Sequence, residues 1–131
     1  MTKILFVCSG NVGRSQMAEA FYNYFTKSKN AFSAGTDSNT PAKYPKMPDE
    51  ICQIMKEENI DVSHQKVKLI NRHFVDEAER IFVMCRKDLC PDFLTNSDKV
   101  IYWKIEDPYK MTIDDMRKIR DQIKVKVKSI I

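Results

Sequence analysis

Cys8, Arg14 and Ser15 stand close together in the segment from Ile4 to Ser15, I-L-F-V-C-S-G-N-V-G-R-S. These residue types, at this spacing, suit the covalent capture of a tetrahedral oxyanion. A cysteine thiolate is a nucleophile, and the planar guanidinium of Arg14 matches two oxygens of such an anion. Between them lie Ser9, Gly10, Asn11, Val12 and Gly13, a tight loop whose backbone N–H groups can cradle the remaining oxygens. A helix beginning just after the loop adds the positive end of its dipole, and the same field favours the thiolate of Cys8. Gly10 and Gly13 leave room for the anion. Asn11 tolerates left-handed backbone. Ser15, read by itself, is a helix cap.

Other reactive side chains are sparser. Cys85 ends an apolar run, Cys90 precedes Pro91, and Cys52 falls beside a helical apolar stripe as a core residue. No C-x2-C pair occurs, and His64 and His73 lie far from suitable partners, so they read as surface or capping residues and no metal site is expected. Asp107-Pro108, taken alone, is a turn, with Glu106 exposed beside it.

The elements that must position these groups alternate. Lys3–Val7 is an apolar strand, and a helix runs from Ser15 to about Thr26 with Met17, Ala20, Phe21, Tyr24 and Phe25 on one face. Ala31–Ala34 is a second strand, ending in Gly35. A polar loop over 36–47 leads to a helix that starts near Pro48, carries Asp49 and Glu50 in its first turn, and buries Ile51, Ile54 and Met55. The stretch 60–79 holds one short helix. Arg80–Met84 and Val100–Trp103 are strands, Trp103 packing the sheet edge. The last helix, from about Asp114 to the end, buries Met116, Ile119, Ile123, Val127 and Ile130 and turns Lys118, Lys124 and Lys128 outward. Strands alternating with helices imply a parallel α/β sheet with helices on both faces. Cys8, Cys85 and Asp107 all follow strands, so they meet at one sheet edge, where open α/β sheets bind their ligands.

A chain of 131 residues is expected to form a single domain, 1–131. Its 43% hydrophobic and 31% charged content is that of a globular protein. The net charge of +4 helps to attract anions but falls short of the basic face of a nucleic-acid binder. With no membrane span, no signal peptide and no disulfide framework among its four cysteines, the protein is expected to be cytoplasmic and, by default, monomeric.

C-x5-R-S after the first strand resembles the low-molecular-weight protein tyrosine phosphatase superfamily, which includes the thioredoxin-coupled arsenate reductases. Cys8-Ser9-Gly10-Asn11, Arg14-Ser15 and Ala18-Glu19 match its opening motif. Ser33-Ala34-Gly35-Thr36 matches the second strand, and Asp107-Pro108 the late loop that carries the general acid. The resemblance covers most of the chain. It implies a three-layer sandwich on a four-stranded parallel sheet in the order 2-1-3-4, with Cys8 as nucleophile, Arg14 and the loop 9–13 as oxyanion binders, Ser15 as donor to Cys8, and Asp107 as general acid.

Cys85 and Cys90-Pro91 stand where the thioredoxin-coupled reductases carry two further cysteines, though the better-known members have a longer gap between them. A reductase would use a relay: Cys8 takes arsenate, Cys85 attacks the adduct, Cys90 attacks the Cys8–Cys85 disulfide, and thioredoxin reduces Cys85–Cys90. Thiols at this spacing face apart on a helix, so the segment must be a loop. Gln16 stands where the phosphatases commonly carry proline, which favours the reductase. The alternative is a phosphotyrosine phosphatase with side chains Cys8, Arg14 and Asp107, in which Tyr109 would flank the substrate. A non-catalytic phosphate binder is disfavoured because every catalytic residue is present. No cofactor is expected, although some reductases of this type bind a potassium ion, which here would sit near Asn11 and Glu19.

Overall fold

The protein is described by a computed structural model covering residues 3–131. Four strands form one parallel sheet in the order β2-β1-β3-β4, as expected: β1 Ile4–Cys8, β2 Ala31–Gly35, β3 Arg80–Val83 and β4 Val100–Tyr102. Every residue of β1 is buried, because the strand lies between two neighbours and under helices on both faces, which explains its unbroken apolar sequence. Side-chain alternation sorts the core into two layers. Ile4, Phe6 and Phe82 face helices α1 (Arg14–Thr26), α2 (Asp49–Lys56) and α5 (Ile113–Lys128). Leu5, Val7, Ile81 and Val83 face α3 (Arg72–Glu77) and α4 (Asp92–Thr95).

Several expectations shift at their ends. β1 runs on to Cys8, while β3 stops at Val83, one residue before Met84. Tyr24, expected in the stripe of α1, is half exposed. Trp103 follows β4 and turns under the sheet, its ring 4.4 Å from that of Phe82, so it belongs to the α1/α5 core rather than to an edge. Lys124 does not point freely outward; its ammonium reaches Glu58 at 2.5 Å. The stretch 60–79 holds one short helix, α3, capped by Asn71, whose side chain accepts the Phe74 N–H.

The strands end together. Thr36 N–H bonds to Cys8 O at 3.0 Å, Met84 N–H to Val7 O at 2.8 Å and Trp103 N–H to Val83 O at 2.9 Å. The segments after β1, β2, β3 and β4 therefore leave the sheet at one rim.

Candidate active site

The rim after β1 is built from loop 9–13. Asn11 sits in the left-handed region at φ 56, where its short polar side chain is tolerated. Gly13 caps α1 with no side-chain hydrogen bond, so the first-turn N–H groups, which lack intrahelical acceptors, remain available to an anion. Gly35 supports the loop from β2. A Cβ there would stand 2.6 Å from Ser9 O and 3.1 Å from Asn11 Cβ, so only glycine lets the two strand ends approach this closely.

Ser15 is the second residue of α1 and not its cap. Its hydroxyl lies 2.9 Å from Cys8 Sγ and accepts a hydrogen bond from Asn11 Nδ2 at 2.8 Å. The orientation of Asn11 is fixed by its other end, since Oδ1 accepts the backbone N–H of Lys68 at 2.8 Å, a group that can only donate. With one lone pair engaged by Asn11, the Ser15 hydroxyl is free to donate its hydrogen to a Cys8 thiolate. The same Asn11 amide donates to Ser33 Oγ at 3.0 Å, and Ser33 donates to Glu19 Oε1 at 2.7 Å. Gln16 Nε2 bonds Asn11 Oδ1 at 3.1 Å, and Gln65 holds Gln16 from the far side at 2.5 Å.

These oxygens do not fit a potassium ion near Asn11 and Glu19. Asn11 Oδ1 already accepts two N–H groups, Ser33 points its proton at Glu19, and the Lys68 ammonium supplies positive charge beside the carboxylate. Burial pushes the Glu19 carboxyl up and the Lys68 ammonium down, each partly opposed by the charge of the other.

Arg14 is 7% exposed, so its guanidinium lies within the rim rather than in solvent. Nη1 donates to the carbonyls of Met84 and Ile105, tying the guanidinium to the segments that follow β3 and β4. Nη2 reaches Ser9 Oγ at 3.3 Å and lies 3.7 Å from Asp107 Oδ2. The fork is thus held in place before any anion arrives. Asp107 is exposed, and its Oδ1 accepts the Tyr109 N–H at 3.0 Å. Pro108 lies against Gly13, whose missing side chain would otherwise stand 3.3 Å from the Pro108 ring. The glycine therefore serves the approach of the Asp107 loop.

The site opens into a cleft of ≈ 770 Å³ whose floor includes Cys8, Gly10, Val12 and Arg14. Tyr44 and Tyr109 wall it, with ring centroids 6.5 Å apart in an edge-on arrangement. Tyr44 carries no signal in the sequence; it stands in the irregular loop 36–47.

Cys85 and Cys90 lie on the other side of the rim. Cys8 shares its face of the sheet with Ile4 and Phe6, whereas Cys85 and Cys90 pack against the α3/α4 core. The segment between them is a loop with one 3-10 turn, Lys87–Leu89, and this turn brings the two sulfurs to 3.8 Å. Cys85 Sγ is also 3.8 Å from Thr36 Oγ1, and Thr36 is bonded to the Cys8 backbone. The two sulfurs are in hydrogen-bond contact, which draws the Cys90 thiol down and, with burial, pushes the Cys85 thiol up. Arg14 opposes the rise at Cys85. Cys52 packs at the margin of the α1/α5 core, His64 is exposed, and His73 pairs with Glu77 at 3.4 Å on the surface.

The family model described as "Low molecular weight phosphotyrosine protein phosphatase" matches residues 3–131. An arsenate reductase of Brevibacillus brevis is 32% identical over 128 residues, spanning 95% of this chain and 90% of that protein. A solved arsenate reductase in its phosphate-binding state superposes with a TM-score of 0.81 at 27% identity, covering 99% of this chain and 96% of the other. A low molecular weight protein tyrosine phosphatase from T. tengcongensis shares the fold, with a TM-score of 0.83 at 24% identity over 99% of this chain and 97% of that one.

Proposed function

We propose that this chain, which belongs to the low molecular weight phosphotyrosine protein phosphatase family, reduces arsenate to arsenite with Cys8 as nucleophile and Cys85 and Cys90 as its electron source. The family and its relatives make the chain an enzyme with arsenate reductase or phosphatase activity. The observation that carries the reductase reading is the Cys85–Cys90 pair, with sulfurs 3.8 Å apart at the rim that holds Cys8 and Arg14. A phosphatase has no use for it.

The Cys8 thiolate, steadied by Ser15, attacks arsenic while Arg14 and the loop 9–13 hold the oxygens, and one oxygen leaves as water. Cys85 passes its proton to Cys90 and attacks Cys8 Sγ. The sulfur–arsenic bond breaks, its electron pair stays on arsenic, and arsenite leaves with a Cys8–Cys85 disulfide behind. Cys90 then attacks Cys85 Sγ, freeing Cys8, and an external dithiol of the thioredoxin type reduces Cys85–Cys90. Because Cys85 faces the α3/α4 side, the second step requires the segment 84–91 to swing over the rim. That segment's one 3-10 turn and its exposed residues 86–89 suit such movement. The reaction uses no metal or organic cofactor and acts on a cytoplasmic oxyanion as a monomer.

A second reading, phosphotyrosine hydrolysis, is favoured by one observation: the cleft walled by Tyr44 and Tyr109 extends beyond what an oxyanion fills. Here Cys8 would take the phosphoryl group and Asp107 would protonate the leaving oxygen and then deprotonate water. The two readings share their first step and separate in one assay. NADPH consumption with arsenate, thioredoxin and thioredoxin reductase should be sustained by the wild type and lost in Cys85→Ser and Cys90→Ser, while para-nitrophenyl phosphate hydrolysis persists in both variants. Ester hydrolysis without any arsenate-dependent NADPH consumption would overturn the reductase in favour of the phosphatase.

A further inference from the structure

The two rim thiols have a geometry that suits a second chemistry besides electron transfer. Cys85 Sγ and Cys90 Sγ are both reduced, half-buried and 3.8 Å apart. Two thiolate ligands of one tetrahedral ion, each bonded at ~2.3 Å, stand ~3.8 Å apart. The sulfurs are therefore close enough to grip a single soft atom, a pyramidal three-coordinate one drawing them slightly closer together than a tetrahedral one. Their surroundings limit which one. Among the described residues no group of three or more His, Cys, Asp and Glu side chains could hold a metal ion, so an ion needing four protein ligands is not served. An atom satisfied by two sulfurs and one oxygen from water is.

We propose that Cys85 and Cys90, in their reduced form, chelate trivalent arsenic, the product class of the reaction assigned above. The inference rests on that reading only for the source of the arsenic. Two As–S bonds form and two As–OH bonds break; the thiol protons and hydroxyls leave as two waters, with no change of oxidation state. The arrangement supports this exchange. The sulfurs lie within reach of one atom, so once either has attacked, the other closes the ring. The Lys87–Leu89 turn sets the spacing without a helix to hold the sulfurs apart. Because the pair faces the α3/α4 core and Cys8 faces α1, arsenic held here leaves the oxyanion loop open. Product capture would consequently block regeneration by the external dithiol while sparing the first chemical step.

The test uses the reduced full-length protein and phenylarsine oxide, a trivalent arsenical with two exchangeable bonds. Native mass spectrometry should show one phenylarsenic adduct per chain, with two thiols lost from the free count. Cys8→Ser should keep the adduct; Cys85→Ser and Cys90→Ser should each lose it. An adduct retained by Cys90→Ser, or absent from the wild type, would overturn the proposal. In turnover, arsenite should inhibit thioredoxin-linked arsenate reduction and leave para-nitrophenyl phosphate hydrolysis unchanged. Equal inhibition of both would put the arsenical on Cys8 and overturn the assignment as well. A protein that chelates phenylarsine oxide through Cys85 and Cys90 but never consumes NADPH with arsenate would sink the reductase and leave the chelate standing.

Discussion

At the scale of single residues, the Asn11 amide orients the Ser15 hydroxyl against Cys8. Asn11 is locked by the Lys68 N–H, so its amide donates to Ser15, which leaves the Ser15 hydrogen free to be donated to a Cys8 thiolate. A thiolate that accepts this bond is stabilised while its loop stays rigid. Cys8, Arg14 and Ser15 were legible because they are neighbours in sequence and their chemistry is shared by few residue types. Gln65 and Lys68 were not, nor were the bonds that Ser33 and Gln16 make here, since hydroxyls, amides and lysines are ordinary surface residues until folding brings them beside Asn11. Asp107 separates the two reactions. An ester needs its leaving oxygen protonated, whereas arsenate loses water with less help. Asp107→Asn should lower para-nitrophenyl phosphate turnover by ~10²-fold or more, the usual scale of general acid catalysis, and arsenate reduction by much less, as kcat measured on one protein batch would reveal. Equal losses in the two assays would remove Asp107 from the role of acid.

At the scale of elements, the loop 9–13 keeps its shape because β2 abuts it. Gly35 lies where any Cβ would overlap Ser9 O at 2.6 Å, and both contact atoms belong to or adjoin the backbone, so nothing flexible can yield. Gly35→Ala should cost ~1–3 kcal/mol by overpacking and, by displacing Ser9 and Asn11, should also reduce the rate of the Cys8 step. Urea melts and single-turnover kinetics report the two effects; a variant as stable and as fast as the wild type would show that the loop has slack. The strands and α1, α2 and α5 were readable because apolar runs and 3.6-residue stripes persist over enough residues to stand out. α4 and the Lys87–Leu89 turn span four and three residues, too short for any period, and so the approach of Cys85 to Cys90 could be required by the disulfide argument but not foreseen as a turn. The faces of the sheet were equally silent: the order of strands follows from the motif resemblance, whereas the side on which Cys85 lies depends on how the chain leaves β3.

At the scale of the whole molecule, the layer that carries Cys8 is closed by α5, and the clamp on α5 is ionic as well as apolar. Ile119, Ile123 and Val127 are buried against the sheet side, while Glu57, just past the end of α2, accepts from Arg117 at 2.8 Å and from Arg120 at 2.6 Å. Hydrogen bonds from Arg117 and then Arg120 hold the Glu57 carboxyl down to about 2, against an ordinary value of 4.5. The sign follows from that depression. Above the ordinary value the carboxylate is charged in both folded and unfolded chains, and its contribution to stability is complete. As pH falls from about 4.5 towards about 2, the unfolded chain takes up the proton first, and the contribution is lost. Asp61 and Glu77 are also held low, by Ser63 and Lys3 respectively, so the wild type alone would not isolate the clamp; the difference between wild type and Glu57→Gln does. Urea melts should find the wild type more stable at neutral pH, with the gap shrinking through that acid window and vanishing below it. Because the pair reaches solvent, ~1 M salt should also narrow the gap at neutral pH. A difference that stays constant with pH would mean that Glu57 acts through packing and that α5 is held by its apolar stripe alone.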